Sequence, residues 1–409
     1  MGPKFGQLSC VKFDRVGADF LGCLFVVGGL FRHSGEIADE RTEKSKKETL
    51  ATFTWFGGQC PVPRPSKPTS PIAAGDFQVA LLQWYKKHFR PLPWRDKPSL
   101  YKTVVSEFML QQTQVKTVLP YFARWVVTLP DFAALAAATE ARVLRLWEGL
   151  GYYSRARNLH KLAKTLVALP QIPETPGAWQ ELPGIGPYSA AAITSISFGA
   201  QAAVVDGNVV RILARLTADS TVYRDSSTAA KAYVNLADAL LNRKNPGDHN
   251  QAMMELGATV CLRRNPLCTI CPVAGFCRAY QSNDPESYPR LAPKKMEQVT
   301  VMRAWCVRSG RLLLHRTSST ARRLANLHEL PTPVQLGLDP AMVGQGELLA
   351  KKRRSITRYQ IIELIHRTKA PARLVEADLV WVPVDELESI SLSGPHRRWV
   401  DEIIQLELK

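Results

Sequence analysis

The sequence predicts a mainly α-helical domain followed by a smaller α/β domain. Apolar residues recur at three- and four-residue spacing from Phe77 to about Tyr280, which is the period of an amphipathic helix. A segment rich in proline and charge follows, and the pattern then changes to strand-like alternation. We therefore expect an all-α domain over 75–281, a linker over 282–297 and the α/β domain over 298–409, and 409 residues are enough for two cores.

Residues 1–74 are predicted to be an N-terminal extension and linker. The proline-rich stretch at 61–71 cannot pack a core. The apolar run Phe20 to Phe31 is too short to cross a bilayer as a helix. Basic residues precede it, as in a signal peptide, but Asp14 and Asp19 interrupt them and no small-residue cleavage site follows. We interpret the segment as an extension, such as one read from an upstream start codon.

In the C-terminal region we expect three strand-forming segments and one closing helix. A β-hairpin around a Ser-Gly turn is predicted for VTVMRAWCVRSGRLLLHRT, and further strands for RYQIIELIHRT and LVWVPV. The helix is predicted for GPHRRWVDEIIQLEL.

The chain is strongly basic, with a formal net charge of +17 and a pI near 9.6. Such a surface attracts polyanions, most commonly DNA or RNA. Ribosome-associated and membrane-surface proteins share this property, so the charge alone does not exclude these two classes.

Four of the eight cysteines crowd into one window, and their spacing is C-x6-C-x2-C-x5-C (Cys261, Cys268, Cys271, Cys277). This clustering favours a metal site in a reducing compartment over a disulfide scaffold. Four such thiolates can hold a tetrahedral Zn²⁺ or a [4Fe–4S] cluster. Structural zinc usually uses two C-x2-C pairs, and only one is present, so the spacing favours iron–sulfur. Arg263 and Arg264 lie within the loop, which we expect to touch phosphate.

Two further features point to DNA chemistry. The segment L-P-G-I-G-P-Y, with Gly184 and Gly186, precedes a helix of small residues and predicts a helix-hairpin-helix turn that binds phosphate through backbone N–H groups. Glu107 and Asp206 lie in apolar surroundings and suggest an acid and an ionised carboxylate, the pair that glycosidic-bond cleavage requires. The alternatives are a solvent-facing Glu107 and an Asp206 that only caps a helix.

Five segments resemble the endonuclease III superfamily, specifically its MutY-type adenine DNA glycosylases: LPWR, SEFMLQQTQV, WEGLGYYSRARNLH, LPGIGPY and VDGNVVRILAR. Together with the cysteine spacing they place the resemblance over Phe77 to about Tyr280, which is about half the chain. The resemblance implies a [4Fe–4S] cluster, and a duplex DNA substrate with adenine opposite 8-oxoguanine or guanine. It also implies a monomer without membrane association, in a bacterial cytoplasm and associated with the nucleoid.

The same resemblance assigns residue roles. Glu107 is expected to protonate the adenine ring, and Asp206 to stabilise the sugar cation. Tyr188 and Asn208 support this site, and Arg95 lines the adenine pocket. Gln112 and Tyr152 are expected to fill and wedge the DNA stack while the adenine is flipped out.

Tyr188 also separates two subfamilies. Bifunctional members, which nick the strand, carry a Schiff-base lysine there, and tyrosine cannot form that bond. We therefore predict a monofunctional glycosylase. The alternatives are an endonuclease III-like glycosylase/AP lyase and a non-catalytic iron–sulfur DNA-binding protein.

The C-terminal domain resembles the Nudix-like domain with which MutY-type enzymes recognise 8-oxoguanine. It contains no glutamate-rich Nudix box. Ile356-Thr357-Arg358 stands in place of the family's aromatic-Ser/Thr-His motif, and His328-Glu329-Leu330-Pro331 in place of Trp-x-Phe-Pro. Thr357 and Arg358 are therefore the candidate DNA contacts of this domain, with the basic run Lys351 to Arg354 beside them.

Overall fold

The structure is a computed structural model that describes residues 72–319, 321, 324–356, 358–374 and 378–407. Nearly all of the predicted extension, with the apolar run at 20–31, lies outside the described residues. The described residues belong to one compact unit. Among them, no helix has the length and apolar character that spanning a membrane requires.

The region predicted to be helical contains twelve α-helices. They are α1 (Ala74–His88), α2 (Leu100–Leu110), α3 (Val115–Thr128), α4 (Phe132–Ala137), α5 (Glu140–Trp147), α6 (Ser154–Ala168), α7 (Pro176–Gln180), α8 (Pro187–Phe198), α9 (Gly207–Thr217), α10 (Ser226–Leu240), α11 (Pro246–Thr259) and α12 (Arg278–Gln281). Side chains of Ser, Thr and Asp cap several of them, because their oxygens accept from backbone N–H groups that have no partner within the helix.

Two apolar cores hold these helices together. One contains the buried rings of Trp125, Trp147 and Trp179 and lies between α2, α3, α5, α6 and α8. The other includes Phe77 and Tyr233 and lies among α1, α9, α10 and α11. Because α2 and α8 belong to the first core and α9 and α11 to the second, a cleft forms where the two cores adjoin.

The predicted linker is partly structured. Strand β1 (Val222–Tyr223) pairs in parallel with β2 (Arg290–Leu291), which lies inside the predicted linker. The short β1 was also missed within the helical region. Two-residue strands carry no periodicity, so their pairing depends on contacts that are distant in sequence.

The C-terminal part is a mixed α/β structure, as predicted. Its strands are β3 (Glu297–Trp305), β4 (Val307–Arg308), β5 (Arg311–Arg316), β6 (His328–Glu329), β7 (Leu348–Ile356), β8 (Tyr359–Arg367) and β9 (Leu379–Pro383), and its helices are α13 (Pro340–Gly344) and α14 (Gly394–Glu407). One sheet has the order β3-β8-β7. In the other, β5 pairs with β4, β6 and β9. Trp399, Val400 and Ile403 of α14 pack into its core.

The predicted hairpin is only partly correct. A tight turn does join β4 to β5, and Ser309 and Gly310 both have positive φ (50° and 68°), as the favoured two-residue hairpin turn requires. Strand β3, however, does not join this hairpin. It pairs in parallel with β8, from Glu297 opposite Tyr359 to Trp305 opposite Arg367.

The C-terminal part contacts the turn that precedes α6. Leu327 is buried in the first helical core. The Tyr153 hydroxyl donates to the backbone oxygen of Leu392 at 3.2 Å. Arg397 Nε of α14 lies 2.5 Å from the Glu148 carboxylate. The turn at 148–153 is therefore held from both parts of the chain.

Candidate active site

Helix α2 presents Glu107 to the cleft between the two cores. The Ser99 side chain accepts from the backbone N–H of Lys102 and starts the helix. Glu107 is only 6% exposed, so the solvent-facing alternative is wrong. The Tyr188 hydroxyl, from α8, donates to its carboxylate at 3.0 Å. Burial raises the pKa of Glu107 to about 7, although the Tyr188 hydrogen bond opposes the shift. Near neutral pH this carboxyl can hold or release a proton.

Asp206 faces the same cleft from the start of α9. Asp206 caps α9, as the alternative interpretation expected, because its side chain accepts from the Val209 N–H at 2.7 Å. Its other oxygen accepts from the Asn208 amide at 3.0 Å. Burial raises the pKa of Asp206, whereas these hydrogen bonds and the charge of Arg211 favour the ionised form. Asp206 can therefore cap α9 and still present a carboxylate to the cleft.

Both carboxyl groups line one cavity of about 860 Å³. This volume lies within the range of small-molecule sites and is larger than one planar base needs. Tyr188, Asn208 and Arg95 line it as well. The structure therefore brings together five residues that the sequence analysis singled out.

Arg95 lies in a polar group that sequence reasoning missed. It donates to Glu255 at 3.0 Å and to Gln251 at 3.1 Å, and Arg90 Nε donates to Glu255 at 2.6 Å. Although burial opposes it, hydrogen bonds from Arg90 and the charges of both arginines lower the pKa of Glu255. The sequence signal that could have indicated this group was Glu255, a glutamate among the apolar residues of α11. These groups can hydrogen bond to the edge of a planar heterocycle.

Gln112 and Tyr152 lie outside the cavity lining. Both have left-handed backbones, with φ of 56° and 48°, and both side chains are exposed, Tyr152 by 50%. They stand on two turns, one after α2 and one before α6. Such conformations are uncommon for residues other than glycine.

The predicted hairpin joins α7 to α8. Gly184 has φ of 76°, and a Cβ on it would lie 2.5 Å from Cβ of Asn158. Gly186 precedes α8 with an ordinary backbone and open space around it. Its position leaves the N-terminal N–H groups of α8 available to a phosphate.

The four cysteines Cys261, Cys268, Cys271 and Cys277 line one small cavity. All four are free thiols. Within the described ranges no three His, Cys, Asp or Glu side chains converge to hold one metal ion. A cluster of several irons fits this donor set, since each thiolate then binds its own iron. Arg211 joins this loop to the site, donating to the Cys261 oxygen at 2.8 Å and to Asn208 Oδ1 at 3.0 Å.

Arg358, one of the two C-terminal candidates, lies at the turn between β7 and β8. Thr357 falls outside the described residues. Arg358 is exposed, 3.3 Å from Glu297 and 2.9 Å from the Tyr359 hydroxyl. In the basic run, Lys352 pairs with Glu402, and Arg354 lies 2.5 Å from Glu363. Only the alternate residues, 351 and 353, have exposed side chains.

Comparisons with known proteins agree with this geometry. Residues 105–236 match the HhH-GPD superfamily of base excision DNA repair proteins, and residues 261–277 match the iron-sulfur binding domain of endonuclease III. The adenine DNA glycosylase of Mus musculus is 46% identical over 219 residues, which are 50% of this chain and 42% of that protein. The adenine DNA glycosylase of Buchnera aphidicola subsp. Schizaphis graminum is 35% identical over 56% of this chain and 67% of that protein.

Among solved structures, a thermostable thymine-DNA glycosylase is 26% identical, with a TM-score of 0.45, over 51% of this chain and 97% of that one. The two family-model matches show that the helical part has the helix-hairpin-helix glycosylase fold and that 261–277 is an iron–sulfur binding segment. The chain belongs to the adenine DNA glycosylase family. It spans less than half the length of the mouse relative that it matches.

Proposed function

We propose that this chain is a monofunctional adenine DNA glycosylase of base excision repair. It hydrolyses the N-glycosidic bond of adenine mispaired with 8-oxoguanine or guanine in duplex DNA. One observation carries the proposal: two carboxyl groups with different hydrogen-bond environments face one cavity that is large enough to admit an extruded base. A glycosidic bond breaks through a cationic sugar, which needs a proton for the leaving base and a negative charge for the sugar.

Glu107 supplies the proton in this mechanism. In its protonated form it donates to a ring nitrogen of adenine, so the base leaves neutral as the bond to C1′ breaks. Tyr188 holds the Glu107 carboxyl in place through its hydroxyl. Asp206, oriented by Asn208, stabilises the sugar cation until water adds to C1′ and gives its proton to the Glu107 carboxylate, which restores the acid.

DNA binding uses the surfaces around this cavity. Arg95, with Glu255 beside it, contacts the extruded adenine, and Gln112 and Tyr152 occupy the stack that the adenine leaves. The hairpin at Gly184 and Gly186 binds phosphate through its N–H groups. The four cysteines hold a [4Fe–4S] cluster, which fixes the shape of a basic loop. One chain contributes all of these groups, so a monomer is sufficient.

We place the recognition of 8-oxoguanine in a Nudix-like domain at 298–409, after the glycosylase domain at 75–281 and the linker at 282–297. The mixed sheets with the C-terminal helix α14 support this assignment. Thr357 and the exposed Arg358 are its proposed DNA contacts.

Base release under single-turnover conditions tests the proposal. Three duplexes carry adenine opposite 8-oxoguanine, guanine or thymine. We expect release from the first two and at least about tenfold less from the third. Equal rates on all three would contradict mispair recognition, and no release from any would contradict the activity.

Borohydride trapping tests the monofunctional assignment. Because Tyr188 has no amine, the product strand should stay intact until heat or alkali cleaves the abasic site. A trapped covalent complex in a yield equal to base release would place the chain in the bifunctional branch instead.

A further inference from the structure

Arg155, in the first turn of α6, is a charged side chain that is only 7% exposed. On one side its guanidinium donates to the end of α2, at the backbone oxygens of Phe108 and Met109 (both 3.0 Å) and of Gln111. On the other side it donates to the backbone oxygens of Leu150 and Gly151, both at 3.1 Å. One side chain thus joins two turns that are about forty residues apart in sequence.

Those turns are the ones that carry Gln112 and Tyr152. Thr113 Oγ1, one residue after Gln112, also accepts from the guanidinium at 3.2 Å. The guanidinium lies 5.4 Å from the centre of the Tyr152 ring. Both turns hold left-handed backbones, which are strained for residues other than glycine and persist only where their surroundings enforce them. Arg155 supplies that enforcement from a single point.

We propose that Arg155 is a positioning residue that fixes Gln112 and Tyr152 relative to each other, so that the two enter the DNA stack as a unit. Arginine suits this position because the two terminal nitrogens of its planar fork reach one turn each, Nη1 the end of α2 and Nη2 the backbone at 150–151. Lysine keeps the charge but has one compact ammonium, which cannot reach all of these acceptors. This proposal rests on the proposed function, since it presumes that the adenine is extruded.

The first measurement separates extrusion from chemistry. A duplex carries 2-aminopurine next to the target adenine, and its fluorescence rises when the stack opens. The protein carries Glu107→Gln, so the bond stays intact. Adding Arg155→Lys should reduce the fluorescence rise or its rate by about 10- to 100-fold, with duplex affinity within about threefold. The matched control is Arg157→Lys, two residues further along α6, which should extrude like its parent.

The second measurement tests whether Gln112 and Tyr152 act together. In the active protein, which keeps Glu107, Arg155→Lys should slow base release about as much as it reduces extrusion. In a protein that already carries Tyr152→Ala, Arg155→Lys should slow base release by less than a further factor of about three. The reason is that both changes disable the same pair of turns. If Arg155→Lys does not fold, Thr113→Val removes one acceptor of the guanidinium and should give a smaller reduction in extrusion.

Three results would overturn the proposal: normal extrusion by the Arg155→Lys protein, slower base release with normal extrusion, or fully additive losses with Tyr152→Ala. Failure of the proposed function gives a different result. In that case the protein without substitutions releases no adenine from any duplex.

Discussion

Glu107 and Asp206 show how two identical functional groups acquire the different environments that their proposed roles require. Both are carboxyl groups that burial makes harder to ionise. Glu107 accepts one hydroxyl hydrogen bond, whereas Asp206 accepts from a backbone N–H and an amide. Hydrogen bonds to the ionised form favour it, so Asp206 is the better anion and Glu107 the better acid.

The pKa of Glu107 predicts the pH dependence of base release. Because the acid must be protonated, the single-turnover rate should, over the range in which Asp206 stays ionised, reach its maximum below about pH 7. Above it, the rate should fall about tenfold per pH unit. Rates measured between pH 5.5 and 9 test this. A constant rate up to pH 9 would show that a different group supplies the proton.

Substitutions at Asp206 separate its two roles. Asparagine also caps helices well, so Asp206→Asn should keep the melting temperature while base release is lost. Asp206→Ala should lose base release and also about 1 kcal/mol of stability, the usual value of a cap. Thermal unfolding and base release are measured on both proteins. Near-normal release by Asp206→Asn would leave Asp206 as a cap only.

At the scale of elements, the turns carry the residues that we propose to contact DNA, and the helices hold these turns in place. The hairpin between α7 and α8 needs glycine at 184, where φ is 76° and Asn158 blocks a Cβ. At Gly186 a Cβ would have open space. We therefore expect the two glycines to serve different purposes, Gly184 to form the turn and Gly186 to leave access for a phosphate.

Alanine at each position should reveal this difference. Gly184→Ala should lower the free energy of unfolding by at least about 1 kcal/mol, because of left-handed strain and the clash. Gly186→Ala should keep the stability but weaken duplex binding several-fold, since its Cβ stands where phosphate would approach. Thermal unfolding and fluorescence anisotropy measure the two effects. Unchanged DNA affinity for Gly186→Ala would contradict phosphate binding at this turn.

At the scale of the whole molecule, the helical and C-terminal parts meet on the turn that carries Tyr152. Arg397 pairs with Glu148 across this contact and also donates to the backbone oxygens of Leu387 and Ile390. The contact therefore connects the C-terminal part, which we propose recognises 8-oxoguanine, to the turn that carries Tyr152, which we propose opens the DNA stack.

Removing Arg397 should loosen this connection. Arg397→Met leaves the partly buried Glu148 unpaired, which should cost on the order of 2 kcal/mol. Hydrogen exchange over 148–153 should accelerate, while exchange in α9 stays as it was. Arg398→Met, at the exposed neighbour on α14, is the control and should change neither. Slow exchange over 148–153 in Arg397→Met would mean that the helical part alone holds the turn.

Much of the helical part follows from the sequence, because amphipathic periodicity and capping residues are local signals. The burial of Glu107 was indicated by its apolar neighbours on α2. The pairing of β3 with β8, the β1–β2 bridge and the group around Glu255 were not predictable. Each of them joins segments far apart in sequence, and no local pattern encodes such a contact. The same holds for Arg155, whose acceptors come from two distant turns.

The most direct test of the central claim compares the unsubstituted protein with Glu107→Gln on a duplex with adenine opposite 8-oxoguanine. Glutamine keeps the shape and the acceptor for Tyr188 but has no acidic proton. We predict duplex affinity within a few-fold of the unsubstituted protein and a single-turnover rate of base release at least about 100-fold lower. Release within a few-fold of the unsubstituted rate, at equal affinity, would contradict the account.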